Sequence, residues 1–319
     1  DMMLIAPATA NVLCKMAHGI ADDALTTTFA AMRKPVVIAP AMNTNMYESP
    51  ATQEAIRSLS RWDNITMLDA ASGELACGTT GKGRMQEVDV LVAAAEYALT
   101  PKTMAGKHVV ITAGPTQEAI DPVRYISNAS TGKMGYSLVR ACLNRGAEVT
   151  LVSGPTHLSL KAWKEFCPLK VVDVVSSAAM CEATLAAFEH ADMAILCAAV
   201  ADFTPCTRAD KKIKKQPGQE GMSIELTTTT DIAATLGKIK GKRQLVGFAL
   251  ETHDERANAL RKLESKNLDM IVLNSLQDRG AGFGVDTNKV TLFFADGTKK
   301  DLPLLLKQEV ADAIIAQLH

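Results

Sequence analysis

Residues 108–156 read HVVITAGPTQEAIDPVRYISNASTGKMGYSLVRACLNRGAEVTLVSGPT, and the fold turns on how this stretch is read. Its β-branched start predicts a strand over 108–112, which runs into a Gly-Pro turn and a long polar insertion carrying Arg124 and Asn128. Gly132, Lys133 and Gly135 then open a helix predicted over 132–145, and a second strand is expected over 148–153. The amides of an exposed helix start favour negative charge, so a phosphate or carboxylate ligand is expected beside them.

Two phosphate motifs fail on these residues. The dinucleotide fingerprint needs three glycines within six positions, whereas seventeen residues separate Gly114 from Gly132. A P-loop would need glycine at Ser127 and Ser or Thr at Met134. Gly132 and Gly135 are equally compatible with simple close packing of helix on strand.

Composition bounds the function classes. The 319 residues suffice for two domains, and 34 basic against 35 acidic residues give no support to a nonspecific nucleic-acid or membrane-surface role. Seven cysteines without a C-x-x-C pair point to reduced thiols rather than a disulfide framework or zinc site, hence to a cytoplasmic protein. No apolar run approaches the length of a membrane span. Asp1 leads straight into the strand pattern MMLIAP, from which the first domain is expected to be the remainder of a longer α/β unit.

Strand and helix patterns alternate along the chain, the mark of α/β architecture with mostly parallel sheets. A breaker-rich join over 101–106 divides a first domain, 1–100, from a second, 107–319. A loop over 200–221 holds the run Lys211, Lys212, Ile213, Lys214, Lys215. Near the end, Asp296-Gly297 marks a hairpin and 307–318 a closing helix.

Ligands of open parallel sheets sit beyond the carboxyl ends of strands. In the second domain those positions carry Arg124, Asn128, Asp202, the lysine run, Asp231 and Phe248, while Lys262 and Lys266 share one helix face. Several cations in one crevice suit a triphosphate with Mg²⁺, although a solvated helix face explains either lysine alone. Asp231 fits an N-cap before Ile232 as well as a metal or ribose contact, and Asn128 either holds a turn or orients a reacting carbonyl. In the first domain Asn11 and Asn43 follow predicted strands, and Cys77 lies between Gly73 and Gly78, a setting for an acid or nucleophile.

APATAN, PAMNTNMY and Cys77 followed by GKGRM resemble the flavin-containing cysteine decarboxylases, specifically phosphopantothenoylcysteine decarboxylase. ITAGPTQEAIDPVRYISNASTGKMG, CAAVADF, KKIKK and VGFALET resemble bacterial phosphopantothenate-cysteine ligase. Both halves occur fused in this order in the bifunctional coenzyme A biosynthesis family. The resemblance implies two Rossmann-like three-layer α/β domains, the first flavodoxin-like and incomplete. It implies CTP and Mg²⁺ for ligation of 4′-phosphopantothenate with cysteine through an acyl-cytidylate, and FMN for the decarboxylation.

By motif match, Lys212 would stabilise charge as the cytidylate forms and Asn128 would polarise its carbonyl, with Arg124 and Ala198 beside the acid substrate. Asp202, Asp231, Phe248, Lys262 and Lys266 would surround the nucleotide. Asn11 and Asn43 would clamp a substrate carboxylate, and Cys77 would donate a proton. Where the family often has Lys-Asn-Pro-Asp, this chain has Thr228, Thr229, Thr230 and Asp231. None of the six histidines matches the family's catalytic one, so weak decarboxylation is expected. The resemblance also implies a homodimer through the ligase half and a larger assembly with a whole decarboxylase half. The competing expectations are a Rossmann-like nucleotide- or flavin-dependent oxidoreductase and a noncatalytic flavin- or nucleotide-binding subunit.

Overall fold

The computed structural model describes residues 1–75, 78, 80–215, 221–251, 253–275, 282 and 284–318. The chain divides into two compact units, Asp1–Lys102 with Leu160–Cys167, and Thr103–Ser159 with Pro168–His319. The first unit ends at Lys102 and the second begins at Thr103, and Leu160–Cys167 groups with the first.

In the first unit, β1 (Met3–Ala8), β2 (Val36–Pro40) and β3 (Ile65–Met67) form a parallel sheet in that order. The helices are α1 (Ala10–His18), α2 (Ala24–Ala31), α3 (Thr44–Tyr47), α4 (Pro50–Leu59) and α5 (Val88–Leu99), and β4 (Ala71–Glu74) pairs antiparallel with β5 (Thr80–Arg84). Ile5, Val36 and Ile38 meet Leu13, Met16, Phe29, Ala55 and Leu59 in one apolar cluster. Helix α1 follows β1 after the single residue Thr9. Thr9 caps it by accepting from Val12 N–H at 3.4 Å, and Gly19 ends it in the left-handed region at φ 71°.

In the second unit come β6 (His108–Ala113), β7 (Gln117–Ala119), β8 (Tyr125–Ser127), α6 (Lys133–Asn144) and β9 (Glu148–Ser153). After α7 (Lys161–Lys164), which belongs to the first unit, follow β10 (Leu169–Asp173), α8 (Ser177–Phe188), β11 (Met193–Leu196), β12 (Phe203–Pro205) and β13 (Leu226–Thr228). The rest is α9 (Ile232–Ile239), β14 (Gln244–Glu251), α10 (Glu255–Ser265), β15 (Met270–Ser275), β16 (Thr287–Asn288), β17 (Val290–Phe294), β18 (Lys299–Asp301), β19 (Leu305–Leu306) and α11 (Lys307–Ile315).

The main sheet runs β10-β9-β6-β11-β14-β15-β17-β18, parallel through β15 and antiparallel at β17 and β18. Successive side chains of a strand face opposite ways, so β6 can serve two layers. Val110 joins the cluster built by α8, α9 and α10 through Phe188, Leu236 and Leu263. Helix α6 lies against β6 and packs on α11.

Two close approaches explain glycines in the deciding stretch. A Cβ on Gly135 would stand 2.5 Å from the Ala113 Cβ, so this glycine lets α6 lie down on β6. A Cβ on Gly154 would stand 1.8 Å from the Pro115 carbonyl oxygen, a backbone atom with nowhere to go.

Candidate functional site

The strand order reverses direction at β6, with β9 on one side and β11 on the other, and such a switch point opens a crevice at the carboxyl edge. A cavity of about 630 Å³ occupies it. Its walls are the ends of β6, β11 and β14, the start of α6, the 228–233 turn, and one face of α10. The amino end of α6 has no side-chain cap, and Gly132, Lys133, Met134 and Gly135 all line the cavity. Gly132 N–H donates to Ser130 Oγ at 3.3 Å, and the amides that follow it, with no side-chain cap among the described residues, are the ones open to an anion.

Of the residues singled out in the second domain, Asn128, Ala198, Asp202, Asp231, Phe248, Lys262 and Lys266 line this cavity. Among the described residues four lysines line it: Lys133, Lys262, Lys266 and Lys307. Each is held by protein oxygens. Lys262 pairs with Glu251 at 2.6 Å, Lys266 with Asp231 at 2.9 Å, and Lys133 with Asp286 at 2.6 Å. Lys307, 7% exposed, donates to the Gly282 carbonyl at 3.1 Å and to the Val285 carbonyl. Burial, and next the neighbouring Lys133, push its ammonium below the ordinary lysine range. Lys307 was missed because it opens an ordinary amphipathic helix, and nothing local distinguishes it from a surface lysine.

Asp231 serves two roles. One carboxylate oxygen accepts from Ala234 N–H at 2.9 Å and caps α9, while the other faces Lys266. Burial alone would raise this carboxyl, but the Ala234 amide and Lys266 outweigh it and hold it low.

Asn128 follows β8 and donates from Nδ2 to the Ala199 carbonyl at 3.2 Å and to the Val200 carbonyl at 3.0 Å. Both amide hydrogens are thus engaged, so polarising a substrate carbonyl requires exchanging one of these bonds. Ala198 is fixed by donation from its N–H to Thr112 Oγ1 at 3.2 Å.

Arg124 and Lys212 are not among the lining residues. Arg124 closes on the buried Asp121, and its Nη2 donates to the Ile213 carbonyl at 2.9 Å. Lys212, beside Ile213, is exposed. The two are neighbours of each other rather than of the cavity.

In the first unit a separate cavity of about 510 Å³ is lined by Ala41, Met42, Asn43, Glu74, Leu75, Gly83, Arg84 and Met85. Asn43 caps α3, accepting from Asn45 N–H at 2.9 Å. Asn11 sits in the first turn of α1, exposed, and does not line this cavity. The β4–β5 hairpin that forms one wall is anchored at Asp69, which accepts from Tyr47 Oη and from Lys82 Nζ at 2.5 Å. Cys77 lies outside the described residues.

Among the described residues no three His, Cys, Asp or Glu side chains gather as a metal site, and no helix is long and apolar enough to cross a membrane.

The fold and the crevice at its switch point define an α/β protein with a built ligand site beyond the strand ends. Two family models cover nearly all of the chain: "Flavoprotein" over residues 1–99 and "DNA/pantothenate metabolism flavoprotein C-terminal domain" over 104–319. The coenzyme A biosynthesis bifunctional protein CoaBC of Bacillus subtilis is 50% identical over 322 residues, covering 100% of this chain and 77% of that protein. A cysteine/cysteine sulfinic acid decarboxylase from an unknown prokaryotic organism is 51% identical over 324 residues, covering 100% of this chain and 88% of that protein. The crystal structure of a CoaBC C-terminal domain matches with a TM-score of 0.56 and 42% identity, covering 68% of this chain and 96% of that one. The chain belongs to the family of bifunctional coenzyme A biosynthesis proteins.

Proposed function

We propose that the second unit joins 4′-phosphopantothenate to cysteine at the expense of CTP, and that the first unit carries the FMN-dependent decarboxylation of the product. The observation that carries the ligase reading is the lysine-lined cavity at the switch point. A triphosphate brings several negative charges that must be met at once, and lysines already held at the cavity wall meet them by sharing or exchanging their present carboxylate partners. Lys262 and Lys266, with Asp231, Asp202 and Phe248, form the nucleotide side. The α6 amides with Lys133 and Lys307 extend the positive field along the same cavity.

The substrate carboxylate attacks the α-phosphorus of CTP, pyrophosphate leaves, and the cysteine amine then displaces CMP to form the amide. Ala198 lies beside the acid substrate, and Asn128 exchanges one backbone bond to hold the reacting carbonyl. Lys212 meets the developing charge by extending its exposed side chain from a backbone that stays beside Arg124, and Arg124 supports the acid substrate's side of the site. Magnesium, carried on the nucleotide, needs only one or two carboxylates besides phosphate and water, and Asp202, which lines the cavity, would be one of them.

For the first unit, the donor chemistry fits a flavin. Ala41, Met42, Leu75 and Met85 offer apolar surface to a flat ring, with Asn43 and Arg84 as polar contacts. When bound, FMN supplies reversible oxidation of the cysteinyl thiol, which makes loss of carbon dioxide easy. The chain's own part is to hold the substrate carboxylate at Asn43 and to return a proton from Cys77, while Asn11, the other half of the expected clamp, lies outside this cavity. A cytoplasmic location and a homodimer through the second unit complete the reading, with a larger assembly where the decarboxylase half is whole.

Pyrophosphate release from CTP that requires both 4′-phosphopantothenate and Mg²⁺ tests the ligase, with ATP run beside CTP. Release without the acid substrate, or none at all, would refute it. Carbon dioxide release is measured separately on phosphopantothenoylcysteine, free cysteine and cysteine sulfinate. Preference for either free amino acid would replace the substrate proposed for the first unit.

A further inference from the structure

Asp121 is buried, with none of its side chain exposed, yet it collects five hydrogen bonds. Oδ1 accepts from the N–H groups of Val123 at 2.8 Å and Arg124 at 3.0 Å. Oδ2 accepts from Arg124 Nε at 3.0 Å, from Arg124 Nη2, and from Ile213 N–H at 3.1 Å. The first two amides are what an aspartate at the head of a turn ordinarily takes. Ile213, far along the chain, is not part of that turn.

The Ile213 residue is held on both sides. Its N–H goes to Asp121, and its carbonyl accepts from Arg124 Nη2 at 2.9 Å. A second tie lies four residues earlier, where Ala209 N–H donates to the Ile120 carbonyl at 3.0 Å. The Lys211–Lys215 run is therefore laid along the β7–β8 hairpin by its backbone, while the lysine side chains stay exposed. The far end of the same hairpin delivers Asn128 to the cavity.

We infer that Asp121 is a positioning residue for the lysine run: with Arg124 it fixes the Ile213 peptide, so that Lys212 reaches the reaction from a defined point. The inference rests on the ligase reading of Lys212. A lysine on an untethered loop must be ordered during each turnover, whereas one whose backbone is already held loses less freedom on acting. The planar guanidinium matters because a single group must bridge a carboxylate and a carbonyl, which an ammonium on a flexible stem does less well.

The test uses the full chain with Asp121→Asn and Ile213→Pro, each with and without Lys212→Met. Ile213→Pro removes the distant N–H, at the cost of restricting the Lys212 backbone as well, and leaves the hairpin's own turn intact, and so guards against misfolding of the Asp121 variant. In the wild type the Ile213 amide is expected to exchange with solvent at least tenfold more slowly than in Asp121→Asn. Both single variants are expected to lose at least tenfold in kcat for CTP-dependent pyrophosphate release, with KM for CTP changed less than twofold. In the Lys212→Met background neither is expected to lower kcat further, because all three act through one side chain. An unprotected Ile213 amide in the wild type, or losses that multiply in the double variants, would overturn the proposal. Full turnover by Lys212→Met would overturn it together with the ligase role of that lysine, and a protected Ile213 amide would distinguish this from a clasp that does not form.

Discussion

Lys266 and Asp231 face each other at 2.9 Å across the cavity wall, and the same aspartate caps the helix that follows it. A ligand phosphate would have to share or take over Lys266, so the pair couples nucleotide binding to a structural cap. Lys266→Met is expected to raise KM for CTP about ten- to hundredfold, on the basis that a hydrogen bond to a charged group contributes about 1.5–3 kcal/mol. Steady-state pyrophosphate release measures this, and an unchanged KM would remove Lys266 from the nucleotide pocket. Asp231→Asn keeps a capping oxygen and removes the charge, whereas Asp231→Ala is expected to cost about 1 kcal/mol more stability through the lost cap.

Gly154 admits no side chain without displacing the Pro115 backbone. Gly154→Ala is expected to destabilise the second unit by about 1–3 kcal/mol, the usual cost of overpacking, and urea unfolding of the chain would report it. Gly221→Ala, where no atom lies within 4 Å of the added carbon, serves as the control and should leave the midpoint unchanged.

Lys102 lies over the Tyr97 ring with its ammonium 3.4 Å from the centroid, and burial pulls its pKa down from 10.5 to about 8. Between pH 8 and 10.5 the unfolded chain therefore binds the proton that the folded chain has released, so stability rises with pH through that window. Thermal midpoints of wild type minus Lys102→Gln should climb from pH 7 to pH 10, part of the effect being screened because the group is half exposed. A flat or falling difference would show that the ammonium is not desolvated there.

Burial pushes the thiols of Cys142, Cys167 and Cys197 up to about 12, whereas Cys206 is exposed. The thiolate is the reactive form. Iodoacetamide at pH 8 should label Cys206 in the native protein and spare those three, with peptide mass spectrometry as the readout. Early modification of Cys142, the most enclosed, would contradict the packing around α6.

Much of this architecture is readable before folding. The strand over 148–153 falls where the apolar run places it, and the helix expected over 132–145 is found as Lys133–Asn144. Patterns of this kind succeed because burial on a sheet or helix face dictates residue type locally. The short antiparallel pairs β4–β5 and β7–β8 were read as loops, since their strands carry glycines and polar residues and are stabilised by distant partners such as Asp69 with Lys82. Within the cavity, Asp231 and Lys266 could be placed from strand ends and helix spacing. Lys307 could not, because its place at the cavity comes only from the packing of α11 on α6. Nor could the Asp121–Ile213 bond, since no local rule pairs residues so far apart in sequence.

The backbone passes between the two units three times, because Leu160–Cys167 leaves the second to join the first. In that excursion Leu160, Ala162 and Trp163 are buried, and Phe166 meets the Tyr97 ring edge-on at 5.6 Å. A scission near residue 103 therefore separates the amino-terminal piece from a peptide it packs against and leaves Trp163 of the carboxyl-terminal piece without those partners, a cost that a CoaBC C-terminal domain crystallised alone shows to be survivable in a relative. Anyone dissecting the two activities by truncation inherits that asymmetry.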